Sequence, residues 1–292
     1  MACVTPYYVD NPKSFVPGQH SKLPVPCGRC LDCLSLKANQ WAFRIQKEAD
    51  ISASCYFVTL TYDTFHVPIS DLGLMTLDKS DFQKFMKRFR KRHVPTVSSS
   101  PVAPLPIRYY AVGEYGTQSM RPHYHAIIFN CDPDLIPDAW TLGGIDVGTV
   151  TAGSINYVVK YLHKNTRIPV FDGDDRQKEF SLMSKGLGSS YMTPAMVRWH
   201  KADVSRNYFT LPGGIKVPLP RYYRDKIYDD AAKELQRDLI ESVVAEDERL
   251  LRDRFHRIYG EDADFDCYLD NITRGKNDKL YKKNLFTKRS KL

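Results

Sequence analysis

Two periodicities organise the apolar positions of this chain. In LKANQWAFRIQKEAD, Trp41 and Ile45 share one face with Leu34 and Ala38, while Lys37, Arg44 and Lys47 occupy others, which predicts an amphipathic helix. The next run, CYFVTLTYD, is rich in aromatic and β-branched residues and predicts a strand from about Tyr56 to Tyr62. Residues 71–78 read as a loop. In DKSDFQKFMKRFRKRH the helical period returns, and Phe82, Phe85, Met86 and Phe89 are expected in the core. The other face of that helix carries Lys84, Lys87, Arg88, Lys91 and Arg92, either a solvated surface or a set of contacts to nucleic-acid phosphates. VPTVSSSPVAPLP reads as a surface loop.

The segments IRYYAVGEY and HYHAIIF, joined by the polar turn GTQSMRP, have the layout of an antiparallel hairpin. Residues 144–151 offer a short further strand, and SINYVVKYLHK reads as a helix with Ser154 as its N-cap and Val158, Val159 and Leu162 facing inward. Beyond about residue 170 the pattern weakens. DGDDRQKEF reads as a solvated loop and SKGLGSSYM as a Gly/Ser-rich one, and PGGIKVPLPRYYRD is a Pro/Gly turn followed by an Arg-Tyr-Tyr-Arg cluster. SKGLGSSY and LPRYYRD are either DNA contacts or structural turns. A charged helix is predicted over about 228–259, with Leu235, Leu239, Val243, Val244, Leu250 and Leu251 as its buried positions, followed by a basic tail from Arg274 expected to be disordered.

Composition narrows the class. At 292 residues with 42% hydrophobic side chains the chain can bury a sizeable core, and a net charge of +8 favours a polyanionic partner, nucleic acid first. No apolar run approaches the roughly 18–20 residues of a membrane span, and MACVTPYYVD lacks the plan of a signal peptide, so a cytosolic setting is expected. Seven cysteines in such a setting read as thiols or metal ligands. Cys27, Cys30 and Cys33 repeat every third position in PCGRCLDC and are candidate zinc ligands. His20 or Cys55 could complete that site, with a reduced, packing role as the alternative.

The chemistry centres on RPHYHAIIF. Residues i and i+2 of a strand share a face, so His123 and His125 point the same way, and Glu114 on the paired strand can converge with them. Two imidazoles and one carboxylate suit Mg²⁺, Mn²⁺ or a related divalent ion, with coordination positions left for water or phosphate. Tyr124 between them faces the other way and is expected in the core. On the helix, Tyr157 and Tyr161 lie one turn apart, and Lys160 and Lys164 each follow a tyrosine by three residues. Taken alone, such tyrosines are packing residues. Beside an HxH strand and a partnered Glu in a basic chain, they read as nucleophiles whose attack a cation and a metal-polarised phosphate assist.

With these residues in place the sequence resembles the HUH endonucleases, and within them the replication initiators of Microviridae, the gokushovirus branch of single-stranded DNA phages. FVTLTYD looks like the first family motif, GEYG followed by RPHYHAIIF like the histidine motif with its acidic partner, and YVVKYLHK like the double-tyrosine helix. PCGRCLDC and the spacing from Trp41 to Arg44 resemble the N-terminal part of the gokushovirus proteins. The likeness covers roughly residues 27–165. It implies an α+β fold, a central antiparallel sheet with flanking helices. Around it are expected a Cys-rich N-terminal arm with a helix (1–54), the nuclease core (55–170) and a helical C-terminal extension (171–292) that is a candidate DNA-binding segment with a basic tail.

The resemblance also implies an activity. His123, His125 and Glu114 would hold the ion, and Tyr157 and Tyr161 would alternate as nucleophiles that nick single-stranded origin DNA, form a 5′-phosphotyrosyl link and rejoin the displaced strand. Lys160 and Lys164 would position the phosphate. Arg121, Lys87, Arg88, Arg221 and Arg224 are the candidate DNA contacts. No GxxxxGK[ST] loop is present, which implies a host helicase and a host polymerase as partners in the bacterial cytoplasm. The competing readings are a nucleic-acid-binding protein without catalysis, in which clusters such as RYYR stack bases, and a transposase or relaxase built on the same core.

Overall fold

The computed structural model describes residues 3, 5–10, 22–93, 105–160 and 168–289. Its first elements are β1 (Tyr7–Asp10), β2 (Lys22–Val25), α1 (Leu31–Ala49), β3 (Cys55–Thr61), α2 (Lys79–Arg92), β4 (Arg108–Tyr115) and β5 (Pro122–Phe129). There follow α3 (Ile136–Ala139), β6 (Ile145–Thr149), α4 (Ala152–Lys160), β7 (Phe180–Met183) and α5 (Pro194–Lys201). The last are β8 (Tyr208–Thr210), β9 (Lys216–Pro218), α6 (Arg221–Ile227), α7 (Asp230–Tyr259) and α8 (Phe265–Arg289). The loop expected at VPTVSSSPVAPLP lies largely outside the described residues, as do Tyr161, Leu162 and Lys164. The chain divides into two compact units, Ala38–Thr193 and Met1–Lys37 with Pro194–Leu292.

The unit Ala38–Thr193 is built on a five-stranded sheet in the order β6-β3-β5-β4-β7, antiparallel at every pairing. The fold is α+β, as expected, and the predicted hairpin is β4 and β5 at its centre. Both faces of the sheet are covered, which explains why AIIF at the end of β5 is a continuous apolar run: Ala126 and Ile128 point to one face, Ile127 and Phe129 to the other. The first face packs Val58, Leu60, Tyr62 and Tyr124 against the expected α2 residues Phe82, Phe85, Met86 and Phe89. The second packs Tyr110, Val112 and Ile127 against Ala38 and Ile45 of α1 and Ile155, Val158 and Val159 of α4.

Polar contacts fix these layers. The buried Tyr124 hydroxyl donates to the Asp78 carbonyl at 2.6 Å and lies 2.7 Å from the Tyr62 hydroxyl, tying the sheet to the residue whose side chain caps α2. On α1, Trp41 packs against Tyr110 with ring centroids 5.2 Å apart, and Arg44 lies over the Trp41 ring while donating to the Leu187 carbonyl at 2.9 and 3.0 Å. Buried Glu48 accepts from the Gly188 amide at 2.8 Å and faces Arg108 at 3.3 Å. SKGLGSSY thus forms a turn closed onto α1, with Gly186 and Gly188 in the left-handed region that glycine adopts without strain. Gly113 answers a different need, since a Cβ there would sit 2.9 Å from the Phe180 ring of β7.

The start of α4 departs from expectation. The helix begins at Ala152, and Thr151 rather than Ser154 is its cap. The Ser154 amide donates to Thr151 Oγ1 at 3.2 Å while the Thr151 amide donates to Ser154 Oγ at 3.3 Å. Ser154 occupies the third helical position and closes a reciprocal capping box, which satisfies two end amides instead of one.

The second unit contains the β1–β2 and β8–β9 hairpins and helices α5 to α8. The Arg-Tyr-Tyr-Arg cluster opens α6, with Tyr223 fully buried. His200 is also fully buried, its Nδ1 donating to the Arg206 carbonyl at 2.6 Å beside the Tyr228 hydroxyl. The charged helix predicted over 228–259 is α7, capped by Asp229 through the Ala232 amide. Its burial is not as expected. Leu235, Leu239, Val243, Val244 and Leu250 are exposed and Leu251 is only half-buried, while Gln236 and Phe255 are the buried positions. The tail expected to be disordered from Arg274 continues the helix of α8 through Arg289.

Candidate functional site

The site grows out of the β4–β5 register. Glu114 pairs with His123, Val112 with His125, and on the other side of β5 Thr59 pairs with His125. The histidine strand is therefore held by hydrogen bonds along both edges, which makes it a rigid support. All three candidate ligands point to the face covered by α1 and α4, near the end of the hairpin where the apolar cover stops. His123 Nε2 lies 2.9 Å and His125 Nε2 3.1 Å from Glu114 Oε1, so three potential donor atoms meet at one point.

The far side of each imidazole is oriented by the strands. His123 Nδ1 lies 3.1 Å from the Arg121 carbonyl, which can only accept, so that nitrogen carries the proton and Nε2 turns to the site. His125 Nδ1 meets Thr59 Oγ1 at 3.0 Å with the same result. This outer hydrogen bonding is the arrangement that fixes metal-binding histidines. Phe57 stacks on the His125 ring, with centroids 5.5 Å apart and an interplanar angle of 19°. Burial alone would push the Glu114 carboxyl up, but hydrogen bonds and charge from His123 and His125 outweigh it and hold it at about 2. Glu114 is therefore an ionised carboxylate at any ordinary pH.

Tyr157 completes the cluster. Ile155, Val158 and Val159 anchor α4 in the core, and the intervening Tyr157 hydroxyl lies 3.4 Å from His125 Nε2 and 3.5 Å from Glu114 Oε1. Its ring meets His125 edge-on at 5.1 Å, yet the residue stays 36% exposed. Lys160 is the last described residue of α4.

The basic candidates are dispersed. Arg121 lies at the site end of the hairpin and donates to the Tyr62 carbonyl at 3.0 and 3.2 Å. Lys87 and Arg88 belong to α2 on the opposite face of the sheet, where Arg88 donates to the Ala139 carbonyl at 2.9 Å. Arg221, which faces Asp225 at 3.3 Å, and Arg224 lie in the other unit. Thr59 and Phe57 are site residues that the sequence reading does not single out. The signal was there in the strand period, since Phe57, Thr59 and Thr61 alternate with the core residues Val58 and Leu60.

A second cluster lies in the unit that holds the chain's N-terminal residues. Cys3, Cys27, Cys30 and Cys33 bring their sulfurs within 4.8 Å of one another. The fourth member expected at His20 or Cys55 is Cys3 instead. Cys55 is in β3, packed against the sheet core, and His20 lies outside the described residues. The Thr5 hydroxyl, then the Arg29 and Cys30 amides, hydrogen-bond Cys27 and lower its thiol to about 6. Among the described residues no helix is long and apolar enough to cross a membrane.

Comparison with known proteins agrees with this architecture. Residues 55–166 match the family of replication-associated proteins of the ORF2 type, a span from β3 to just past α4. The chain is 31% identical over 223 residues to replication-associated protein VP4 of Bdellovibrio phage phiMH2K, covering 68% of this chain and 66% of that protein. It is 28% identical over 236 residues to replication-associated protein ORF2 of Spiroplasma virus 4, covering 72% of each. With replication-associated protein ORF4 of Chlamydia phage 1 the identity is 26% over 227 residues, covering 69% of this chain and 53% of the relative. No solved structure matches the chain. A five-stranded antiparallel core whose central hairpin carries Glu114, His123 and His125, within a stretch shared with these phage proteins, makes the chain a member of the replication-associated protein family of Microviridae-type phages.

Proposed function

We propose that this protein initiates rolling-circle replication of a single-stranded DNA genome by nicking origin DNA with a tyrosine of α4 and later rejoining the displaced strand. The observation that carries the reading is the approach of the Tyr157 hydroxyl to both His125 and Glu114. A phenol delivered to a three-donor cluster, with its ring partly open to solvent, is placed for chemistry rather than for packing.

The donor set fits a hard or borderline divalent ion, Mg²⁺ or Mn²⁺, because it offers two imidazoles and a carboxylate and leaves the remaining positions to phosphate or water. When bound, the ion would polarise the scissile phosphate and stabilise the charge that develops there. Glu114, His123 and His125 would hold it, and the Arg121 carbonyl and Thr59 hydroxyl would keep the imidazoles in the ligating orientation. The Tyr157 oxygen forms a bond to phosphorus as the bond from phosphorus to the 3′ oxygen breaks. The phenolic proton passes to water on the open side of the ring, and the departing 3′ oxygen takes a proton from solvent. What remains is a 5′-phosphotyrosine and a free 3′-hydroxyl for a host polymerase.

The reverse attack, by a 3′-hydroxyl on the phosphotyrosine, rejoins DNA without an external energy source because one phosphodiester replaces another. Tyr161, four residues further on, would serve alternate cycles, with Lys160 and Lys164 positioning the phosphate. Arg121 is proposed to contact the strand at the site, and Lys87, Arg88, Arg221 and Arg224 are proposed as further phosphate contacts. Unwinding is assigned to a helicase of the bacterial host, in whose cytoplasm the protein would act. The test is a denaturing gel of purified protein with Mn²⁺ and single-stranded oligonucleotides tiled across the genome that encodes it. A covalent adduct that requires metal is expected. Binding to the oligonucleotides with no adduct on any tile would leave a DNA-binding protein in its place.

A further inference from the structure

We propose that Cys3, Cys27, Cys30 and Cys33 together hold one structural Zn²⁺ ion, with Cys3 as the fourth ligand. The sulfurs lie within 4.8 Å of one another, and Cys3 Sγ is 3.8 Å from Cys30 Sγ. Four thiolates around zinc at about 2.3 Å in a tetrahedron are separated by about 3.8 Å, so the cluster needs little adjustment to close on an ion. Four protein sulfurs leave no position for substrate, which marks the site as structural rather than catalytic.

The strand register explains how a residue so far away in sequence arrives. In the β1–β2 hairpin Tyr7 pairs with Val25 and Asp10 with Lys22, and continuing that register backward places Thr5 beside Cys27. The Thr5 hydroxyl indeed donates to Cys27 Sγ at 3.3 Å, and the Cys27 amide donates to Cys3 Sγ at 3.2 Å. Gly28, with φ of 72°, turns the chain so that the Arg29 and Cys30 amides both point at Cys27 Sγ, at 3.4 and 3.2 Å. Cys30 immediately precedes α1 and Cys33 sits in its first turn, so two sulfurs lie at the positive end of a 19-residue helix. Amide donors and a helix N-terminus both favour thiolates, the form zinc binds.

An independent observation says why an ion is needed. Tyr7, Tyr8 and Val9 of β1 are all exposed, so burial of β1 supplies little to hold this two-stranded hairpin. Isolated hairpins are marginal in water, and small elements without a core are commonly held by a metal. Coordination through Cys3 and Cys27 would fasten one end of the hairpin to the first turn of α1.

The experiment is metal analysis of the full-length chain expressed in zinc-supplemented medium, followed by chelator competition. Wild type is expected to retain one zinc per chain, released when a mercurial reagent titrates the thiols. Cys3→Ser is expected to lose zinc to the chelator at least about tenfold more readily, whereas Cys131→Ser and the His123→Ala/His125→Ala double variant retain it. Because Cys3→Ser could fail to fold, wild type is also loaded with Co²⁺, whose intense visible absorption in a tetrahedral all-thiolate site counts the sulfurs directly. Iron in place of zinc, a wild-type chain without zinc, or a folded Cys3→Ser chain with unchanged zinc retention and cobalt spectrum would overturn the proposal.

Discussion

Oη of Tyr157 lies 3.4 Å from Nε2 of His125, although the two residues, one on a helix and one on a strand, are 32 positions apart in sequence. The contact exists because α4 crosses the one face of the sheet on which both histidines lie. Removing Tyr161 alone is therefore expected to leave single-turnover nicking, while removing both tyrosines abolishes it. Single-turnover gels of Tyr161→Phe and of the double Phe variant check this. Loss of the first cut in the single variant would assign it to Tyr161.

Thr59→Val keeps the shape of the side chain and deletes the hydroxyl that orients His125. A drop of about 10- to 100-fold in Mn²⁺ affinity is expected, with stability changed by less than about 1 kcal/mol. Calorimetric titration with Mn²⁺ alone, beside urea unfolding, separates the two quantities. Unchanged affinity would mean that packing against Phe57 is enough to orient the ring.

Tyr124 lies between the two histidines in sequence and on the other side of the sheet. Tyr124→Phe leaves the Asp78 carbonyl and Tyr62 hydroxyl without a buried partner, and is expected to cost about 1–3 kcal/mol in urea unfolding. Mn²⁺ affinity should stay at the wild-type value, because the two faces are insulated by the strand itself. A large fall in affinity would show that Tyr124 supports the site.

His200 should make stability depend on pH. Burial holds its imidazole below the ordinary value, so the unfolded chain takes up that proton at a higher pH than the folded chain does. The stability contributed by neutral His200 is thus full above about pH 6.5 and is lost as pH falls below it. Urea unfolding at several pH values between neutral and mildly acidic should show stability falling with pH, with a shallower slope in His200→Gln. Equal slopes would assign the acid sensitivity to other groups.

The parts of this fold that were legible in the sequence are those where one period dominates a whole element. Phe82, Phe85, Met86 and Phe89 read as core and are core, and the pairing of Glu114 with the histidine strand followed from the hairpin signal. β7 was not legible, because an edge strand of four half-buried residues has no periodicity to detect. α7 misled in the opposite direction. Its leucines and valines recur as they would on a buried stripe, but spacing reports only that residues share a face, not that anything covers it. Cys3 escaped notice because a ligand brought in by strand pairing has no local spacing to announce it.

The central claim is that a tyrosine of α4 becomes covalently joined to DNA, and peptide mapping of the adduct tests it most directly. Trypsin cuts after Lys160 and Lys164, which separates Tyr157 from Tyr161. Mass spectrometry of digested, nuclease-trimmed adduct is expected to find a nucleotide 5′-phosphate on the peptide ending at Lys160, and on the Tyr161–Lys164 peptide when both nucleophiles are used. A nucleotide on any residue outside these two peptides, or tight metal-dependent DNA binding with no modified peptide, would contradict the account.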